Sequence, residues 1–131
     1  MKPMQLHGGN ILGSDVGKAG ATTFRAINPA TDQPLDPQFH SATEQEAGRA
    51  MELAEAAFPS YRSQPPEAIA EFLEAIAAGL EHLGNELISR AQAETALSEN
   101  RLIFECGRII FQLRTFAKLI REGSWLDVRI D

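Results

Sequence analysis

The sequence has little of what several classes of protein require. A single cysteine, Cys106, excludes an internal disulfide and favours a reducing, cytoplasmic setting. No apolar run reaches the roughly 20 residues of a membrane span, and the N-terminal residues lack the apolar segment of a signal peptide. The net charge is −6, which argues against nucleic acid as a partner.

The three histidines do not suggest a metal site. His7, His40 and His82 lack the spacing of metal ligands, and no cysteine or carboxylate pair accompanies them. We therefore predict no bound metal. Aromatic residues make up only 7% of the chain and alanine is abundant, which favours a helical protein. A length of 131 residues predicts one domain or a fragment of one.

The most strongly patterned stretch, 98–121, predicts a long helix. Ser98 suits its N-cap, and Gly123 can end it. Two apolar lines run along this helix, so we expect it to be covered from two sides, in the middle of the structure. The first line is Leu102, Cys106, Ile109, Ile110, Leu113, Ala117 and Ile120, and the second is Ile103, Phe104, Phe111, Phe116 and Leu119.

Three shorter helices are predicted before the long one, at 43–58, 66–83 and 85–95. Thr43 and Glu46 form a capping box at the start of the first, and Pro59 ends its pattern. Pro66 suits the first turn of the second, and Gly84 separates the second from the third. The predicted fold is therefore mainly α (α+β), with a four-helix cluster over 43–121.

The flanking segments predict small β-structures. Residues 1–22 read as a glycine-rich flexible arm with at most one short strand, and 23–37 as a β-hairpin turning at Asn28-Pro29-Ala30-Thr31-Asp32. Residues 125–131 alternate as a C-terminal strand does, without an obvious partner. A strand begun at a terminus needs a partner for its backbone groups, so we expect a chain that is cut rather than finished.

Cys106 is the one candidate nucleophile. Such a role needs a nearby base and a lowered pKa, and a small cysteine-dependent enzyme is one hypothesis. Cys106 lies on an apolar line of the long helix, however, which favours a buried structural cysteine. From the residues alone we predict no catalytic, cofactor-binding or metal site.

Several runs together resemble the N-terminal part of an aldehyde dehydrogenase. They are Phe24-Arg25-Ala26-Ile27-Asn28-Pro29-Ala30-Thr31, Ala57-Phe58, Tyr61-Arg62, Glu94-Thr95-Ala96-Leu97, Gly107-Arg108, Gln112-Leu113-Arg114 and Phe116-Ala117. The ending, residues 121–131, resembles the α-ketoglutaric semialdehyde (2,5-dioxovalerate) branch of that family. The resemblance implies that the chain is part of the NAD(P)-binding domain of such an enzyme.

The resemblance also implies what this chain does and does not contain. In that family the catalytic cysteine, the glutamate base and the NAD(P)-binding segments lie downstream of the point that matches Asp131, and Cys106 matches no catalytic cysteine. The long helix lines the substrate tunnel, and Arg108 matches a position on it. An arginine there suits a substrate that ends in a carboxylate, so Arg108 is the one predicted substrate-binding residue.

Two hypotheses of different classes follow. In the first, the chain is the N-terminal segment of an NAD(P)-dependent semialdehyde dehydrogenase and is inactive without the remainder of the enzyme. In the second, it is a free-standing helical interaction module derived from that segment. The second predicts a homo-oligomer, because an uncovered apolar helix face usually finds a partner.

Overall fold

The structure is a computed structural model, and it describes residues 6–17 and 20–126. It is mostly helical with an N-terminal β-hairpin, as predicted. Within the described residues the elements are β1 (Asn10–Leu12), β2 (Asp15–Gly17), β3 (Thr23–Asn28), β4 (Gln33–His40), α1 (Glu44–Arg62), α2 (Pro66–Thr95), α3 (Glu99–Glu122) and a 3₁₀ turn (Ser124–Leu126).

The prediction of four helices is wrong: three are present among the described residues. The second and third predicted helices run on as one element, α2. Gly84 has φ 46° and ψ −125°, a non-helical conformation inside α2. The glycine was correctly read as a break, but the helix resumes directly after it without a loop, because one glycine in this backbone region absorbs the whole change of direction.

α1 also continues past its predicted end. The helix runs to Arg62, with Pro59 inside it and Ser63 as its C-cap. Proline fixes φ near the helical value, although it lacks an N–H donor and its ring crowds the carbonyl four residues earlier. The predicted start is confirmed, since Thr43 and Glu46 form the capping box.

The N-terminal segment contains two antiparallel hairpins rather than one. β1 pairs with β2 through a two-residue loop, in which Gly13 has φ 64°. β3 pairs with β4, from Thr23 opposite His40 to Asn28 opposite Gln33. This second hairpin extends three residues beyond the predicted 23–37.

The predicted C-terminal strand is wrong at its start. Trp125 and Leu126 belong to the 3₁₀ turn that follows Gly123. Gly123 ends α3 in the left-handed conformation, with φ 74°, which sends the chain into a tight turn rather than an extended strand. The remainder of the predicted strand, 127–131, lies outside the described residues.

The chain divides into two compact units, the first comprising 1–63 with 93–96 and the second 64–92 with 97–131. Whether the whole chain is a single domain stays a prediction. In the first unit β1 packs on α1, and the buried carboxylate of Glu46 lies so close to Gly17 that a Cβ there would meet Glu46 Oε1.

The second unit contains α3 and the N-terminal 27 residues of α2, in antiparallel arrangement. The side chains that are wholly buried are alanines: Ala70 and Ala77 on α2 and Ala117 on α3. Small side chains leave room for two helices to approach each other, and the larger Ile88 and Leu102 are buried as well.

The expectation that α3 is covered from two sides is wrong for the part of the chain that the structure describes. Its first apolar line packs in the second unit, but the second line is largely exposed. Ile103 is 50% exposed, Phe116 57%, Phe104 68% and Phe111 69%. None of the helices in 6–17 and 20–126 is long and apolar enough to span a bilayer.

Candidate functional site

Arg108 lies at the middle of α3, on the exposed face of the helix. Phe104 and Phe111 are four residues before it and three residues after it, which places all three on one side. The Arg108 side chain is 60% exposed. The sequence therefore presents a guanidinium between two uncovered phenyl rings.

Arg108 is held at one nitrogen only. Its Nε donates to Oε2 of Glu105 at 3.2 Å. Its Nη1 and Nη2 donate to no other residue within 6–17 and 20–126. Those two terminal nitrogens form the edge of the guanidinium that can bind a carboxylate with two parallel hydrogen bonds.

Glu105 is shared with a second arginine. Arg101 Nε donates to Glu105 Oε1 at 2.8 Å, and Arg101 Nη2 lies 2.7 Å from the same oxygen. The carboxylate of Glu105 thus uses one oxygen for each arginine. Its side chain is 30% exposed, against 62% for Arg101 and 60% for Arg108, so the central group is the least hydrated of the three.

The other arginines of α3 are already occupied by carboxylates of α2. Arg114 donates to both oxygens of Glu81 at 2.9 and 2.7 Å. Arg121 binds Glu67 and Glu74, and its shortest contact is 2.6 Å, to Glu74. Hydrogen bonding to Glu67 and then to Glu74 raises the pKa of Arg121. These two arginines stabilise the helix pair, which distinguishes them from Arg108.

The pKa values of two glutamates on α2 are lowered for the same reason. The hydrogen bond from Arg121 holds the pKa of Glu67 and that of Glu74 below the ordinary glutamate value. Both glutamates are therefore charged at neutral pH. The pairs recur at seven-residue intervals, with Glu67, Glu74 and Glu81 on one stripe of α2 and Arg114 and Arg121 on the facing stripe of α3.

Cys106 lies where the sequence analysis placed it, against apolar side chains. It is partly buried and lines a cavity of about 170 Å³ with Leu80, Ile88, Leu102 and Ile109 among its neighbours. No histidine lines this cavity among the described residues. Glu105 also lines it, but its carboxylate accepts from Arg101 and Arg108, so the mainly apolar surroundings fit a structural cysteine better than a nucleophile.

The binding of a nicotinamide dinucleotide makes a demand on glycines. Such a cofactor needs a glycine-rich turn that exposes backbone N–H groups to its phosphates. Two glycines of the first unit are packed against the chain itself: a Cβ at Gly8 would meet Gln38 O, and one at Gly20 would meet Ser41 O. No group of three or more potential metal ligands occurs among the described residues.

Arg108 stays a prediction from the family resemblance, and its contacts are visible only in the structure. Glu105 lies four residues after Arg101 and three before Arg108, a spacing that favours ion pairs on a helix. The two phenylalanines were assigned to a covered face instead of an exposed one. The charge spacing was the available signal for the network, whereas nothing in the spacing of the phenylalanines reveals whether another element covers them.

Comparison with known proteins places this chain in a family. Residues 16–128 match the aldehyde dehydrogenase family. The chain is 46% identical over 129 residues to α-ketoglutaric semialdehyde dehydrogenase 2 of Azospirillum brasilense, which covers 98% of this chain and 25% of that protein. It is 40% identical over 113 residues to α-ketoglutaric semialdehyde dehydrogenase of Acinetobacter baylyi, covering 86% of this chain and 22% of that protein.

The chain spans about a quarter of the length of these curated relatives, and the match covers their N-terminal part. The resemblance seen in the Asn-Pro-Ala-Thr turn and along α3 is confirmed by a family match that covers both. The chain belongs to the aldehyde dehydrogenase family.

Proposed function

We propose that this chain is the N-terminal, carboxylate-recognising segment of an NAD(P)-dependent semialdehyde dehydrogenase that works in the cytoplasm. The observation that carries the proposal is the unused Nη1–Nη2 edge of Arg108, exposed between Phe104 and Phe111. The relatives named above are dehydrogenases of α-ketoglutaric semialdehyde, a substrate with an aldehyde at one end and a carboxylate at the other.

The residues of this chain would act on the end of the substrate that does not react. Arg108 would bind the carboxylate through two hydrogen bonds and fix the direction in which the substrate lies. Phe104 and Phe111 would contact its short hydrocarbon chain. NAD(P)⁺ accepts a hydride in the oxidation of an aldehyde to an acid, and in this proposal its site and the nucleophile belong to the remainder of the enzyme.

The proposal therefore includes that the isolated chain does not catalyse. The test is to incubate the purified chain with α-ketoglutaric semialdehyde and NAD⁺ or NADP⁺ while following absorbance of the reduced nicotinamide. The Azospirillum relative serves as the positive control. We expect no turnover by this chain. Turnover that survives Cys106→Ser would contradict the proposal, and turnover lost in that variant would support the cysteine-enzyme hypothesis instead.

Carboxylate recognition is tested by binding. Glutarate is titrated into the chain while the arginine side-chain N–H resonances are followed by NMR, with glutaramide as the uncharged control. We expect saturable shifts with glutarate only, and their loss in Arg108→Ala. Equal binding of glutarate by wild type and Arg108→Ala would overturn the role of Arg108.

A second function is favoured by a different observation. The exposed phenylalanines at 104, 111 and 116 give α3 an apolar surface, which is the kind of surface that binds a protein. In this alternative the chain is an interaction module, whose partner is a second copy of itself. In the first proposal Phe104 and Phe111 contact the substrate instead.

A further inference from the structure

Glu105, whose side chain binds Arg108, limits the directions from which a carboxylate ligand can reach Arg108. An arginine can offer a carboxylate either of two edges, one formed by Nε with a terminal nitrogen and one formed by the two terminal nitrogens. Glu105 Oε2 accepts from Nε at 3.2 Å, so the first edge is occupied. Only the end-on edge, Nη1 and Nη2, is left for a ligand.

Glu105 is itself held from the opposite side. Its other oxygen, Oε1, accepts from Arg101 Nε at 2.8 Å. A carboxylate bound at both oxygens loses much of its rotational freedom, and so the Arg108 side chain attached to it is also restricted. The order of groups along α3 is thus Arg101, then Glu105, then Arg108, with one turn of helix between neighbours.

We propose that Glu105 is a positioning residue for carboxylate binding, which fixes the guanidinium of Arg108 in the end-on orientation, and that Arg101 fixes Glu105 in turn. This inference rests on the proposed function, since it assigns how Arg108 would be used. Neither Glu105 nor Arg101 contacts the ligand. Their contribution is to reduce the freedom that Arg108 would otherwise lose on binding.

Positioning by Glu105 and simple electrostatics predict opposite effects of a Glu105 substitution on glutarate binding. A negative charge three residues from Arg108 repels an anionic ligand, so its removal should strengthen glutarate binding if charge alone mattered. If Glu105 positions Arg108, its removal should weaken binding. Glu105→Gln separates the two, because the amide keeps the size of the side chain but has only one accepting oxygen for two arginines.

The experiment is the glutarate titration of the 131-residue chain by NMR, in wild type, Glu105→Gln, Arg101→Gln and Arg108→Ala. Glu99→Gln is the matched control, since it removes the same charge from the first turn of α3. We expect Kd for glutarate to rise about threefold to tenfold in Glu105→Gln, as for one lost hydrogen bond. A smaller rise is expected in Arg101→Gln, and Glu99→Gln should not weaken binding.

A spectroscopic signature distinguishes positioning from a general loss of structure. The Nε–H resonance of Arg108, assigned by its absence in Arg108→Lys, should move in Glu105→Gln before any ligand is added. Helix content measured by circular dichroism should stay unchanged, because Glu105 and Arg101 are partly or largely exposed. An unmoved Arg108 resonance would contradict the inference.

Failure of the inference is distinguishable from failure of the proposed function. Binding that is lost in Arg108→Ala but unchanged or tighter in Glu105→Gln would refute positioning by Glu105 and leave the role of Arg108 standing. Wild-type binding that is absent, or that persists in Arg108→Ala, would refute the proposed function itself and the inference with it. Weaker binding in Glu99→Gln equal to that in Glu105→Gln would also refute positioning.

Discussion

Two glycines of α2 lie five residues apart and have opposite conformational requirements. Gly84 has φ 46° and ψ −125°, a region that only glycine occupies readily. Gly79 lies in regular helix, and a Cβ added there would meet nothing within 4 Å. Their substitution by alanine therefore tests backbone conformation without a change in packing.

We expect Gly84→Ala to lower the free energy of unfolding by about 1–3 kcal/mol, because alanine is strained in this conformation. Gly79→Ala should raise it by about 0.5–1 kcal/mol, since alanine loses less backbone entropy when a helix forms. Urea denaturation followed by circular dichroism measures both. Stabilisation by Gly84→Ala would show that the non-helical conformation of residue 84 is not required.

At the scale of the element, the N-termini of α1 and α3 are capped in different ways. Thr43 Oγ1 accepts from Glu46 N at 3.1 Å, while Glu46 Oε2 accepts from Thr43 N at 3.0 Å. Ser98 is the N-cap of α3 but makes no capping hydrogen bond through its side chain. Thr43 and Ser98 are both predicted as N-caps from the sequence, but only the Thr43 side chain makes a capping hydrogen bond.

Thr43→Ala should destabilise the chain by about 1 kcal/mol, through the loss of one side of the capping box. Ser98→Ala should change the free energy of unfolding by less than about 0.5 kcal/mol, as for an ordinary surface substitution. Thermal and urea unfolding of the two variants provide the comparison. Equal effects would mean that the Thr43 side chain contributes no more than that of Ser98.

The pairing of α2 with α3 through Arg121 should depend on pH. The pKa values of Glu67 and Glu74 are lowered in the folded chain by the Arg121 hydrogen bonds. Their contribution is complete above the unfolded glutamate pKa of about 4.3 and is lost as pH falls through the lowered folded value. We expect Tm to fall in this acid range and the fall to be smaller in Arg121→Gln.

The control for this acid effect is salt. Because the pairs are exposed, about 0.5 M sodium chloride should reduce the difference between wild type and Arg121→Gln at neutral pH. Arg49→Gln is the matched variant, since Arg49 pairs within α1 with Glu52 at 3.3 Å. The same acid dependence in wild type and Arg121→Gln would show that other carboxylates cause it.

The features that could be predicted from the sequence are those that depend on neighbouring residues. The capping box of Thr43, the end of α3 at Gly123 and the turn after Asn28 depend on residues within four positions of each other, and each is present. A break at Gly84 is predicted from the sequence. Whether that break is a loop or a kink depends on the ψ angle of Gly84, which the residue type alone does not determine.

The exposure of Phe104 and Phe111 could not be predicted for a different reason. An apolar side chain at helical spacing predicts a covered face only if some other element is available to cover it. Within the described residues none covers these two rings. Arg108 was identified through family resemblance, whereas the orientation of its guanidinium depends on Glu105 and is visible only in the structure.

At the scale of the whole molecule, net charge and exposed apolar area have opposing effects on association between copies of the chain. The chain carries a net charge of −6, which opposes association between copies. On the uncovered face of α3, Arg108 and Lys118 lie near Phe104 and Phe111, so basic side chains offset part of this repulsion around the two rings. Association through this face is therefore compatible with an acidic chain.

The last prediction concerns the mass of the chain in solution. If the interaction-module alternative holds, sedimentation should show a concentration-dependent species of twice the chain mass, and Phe111→Ser should shift the equilibrium toward monomer by about tenfold, because a buried phenylalanine contributes strongly to an interface. Met51→Ser is the control, since Met51 is an apolar residue of α1 that is 73% exposed. A chain that stays monomeric at every concentration would contradict the alternative and leave Phe104 and Phe111 with the substrate contact of the first proposal.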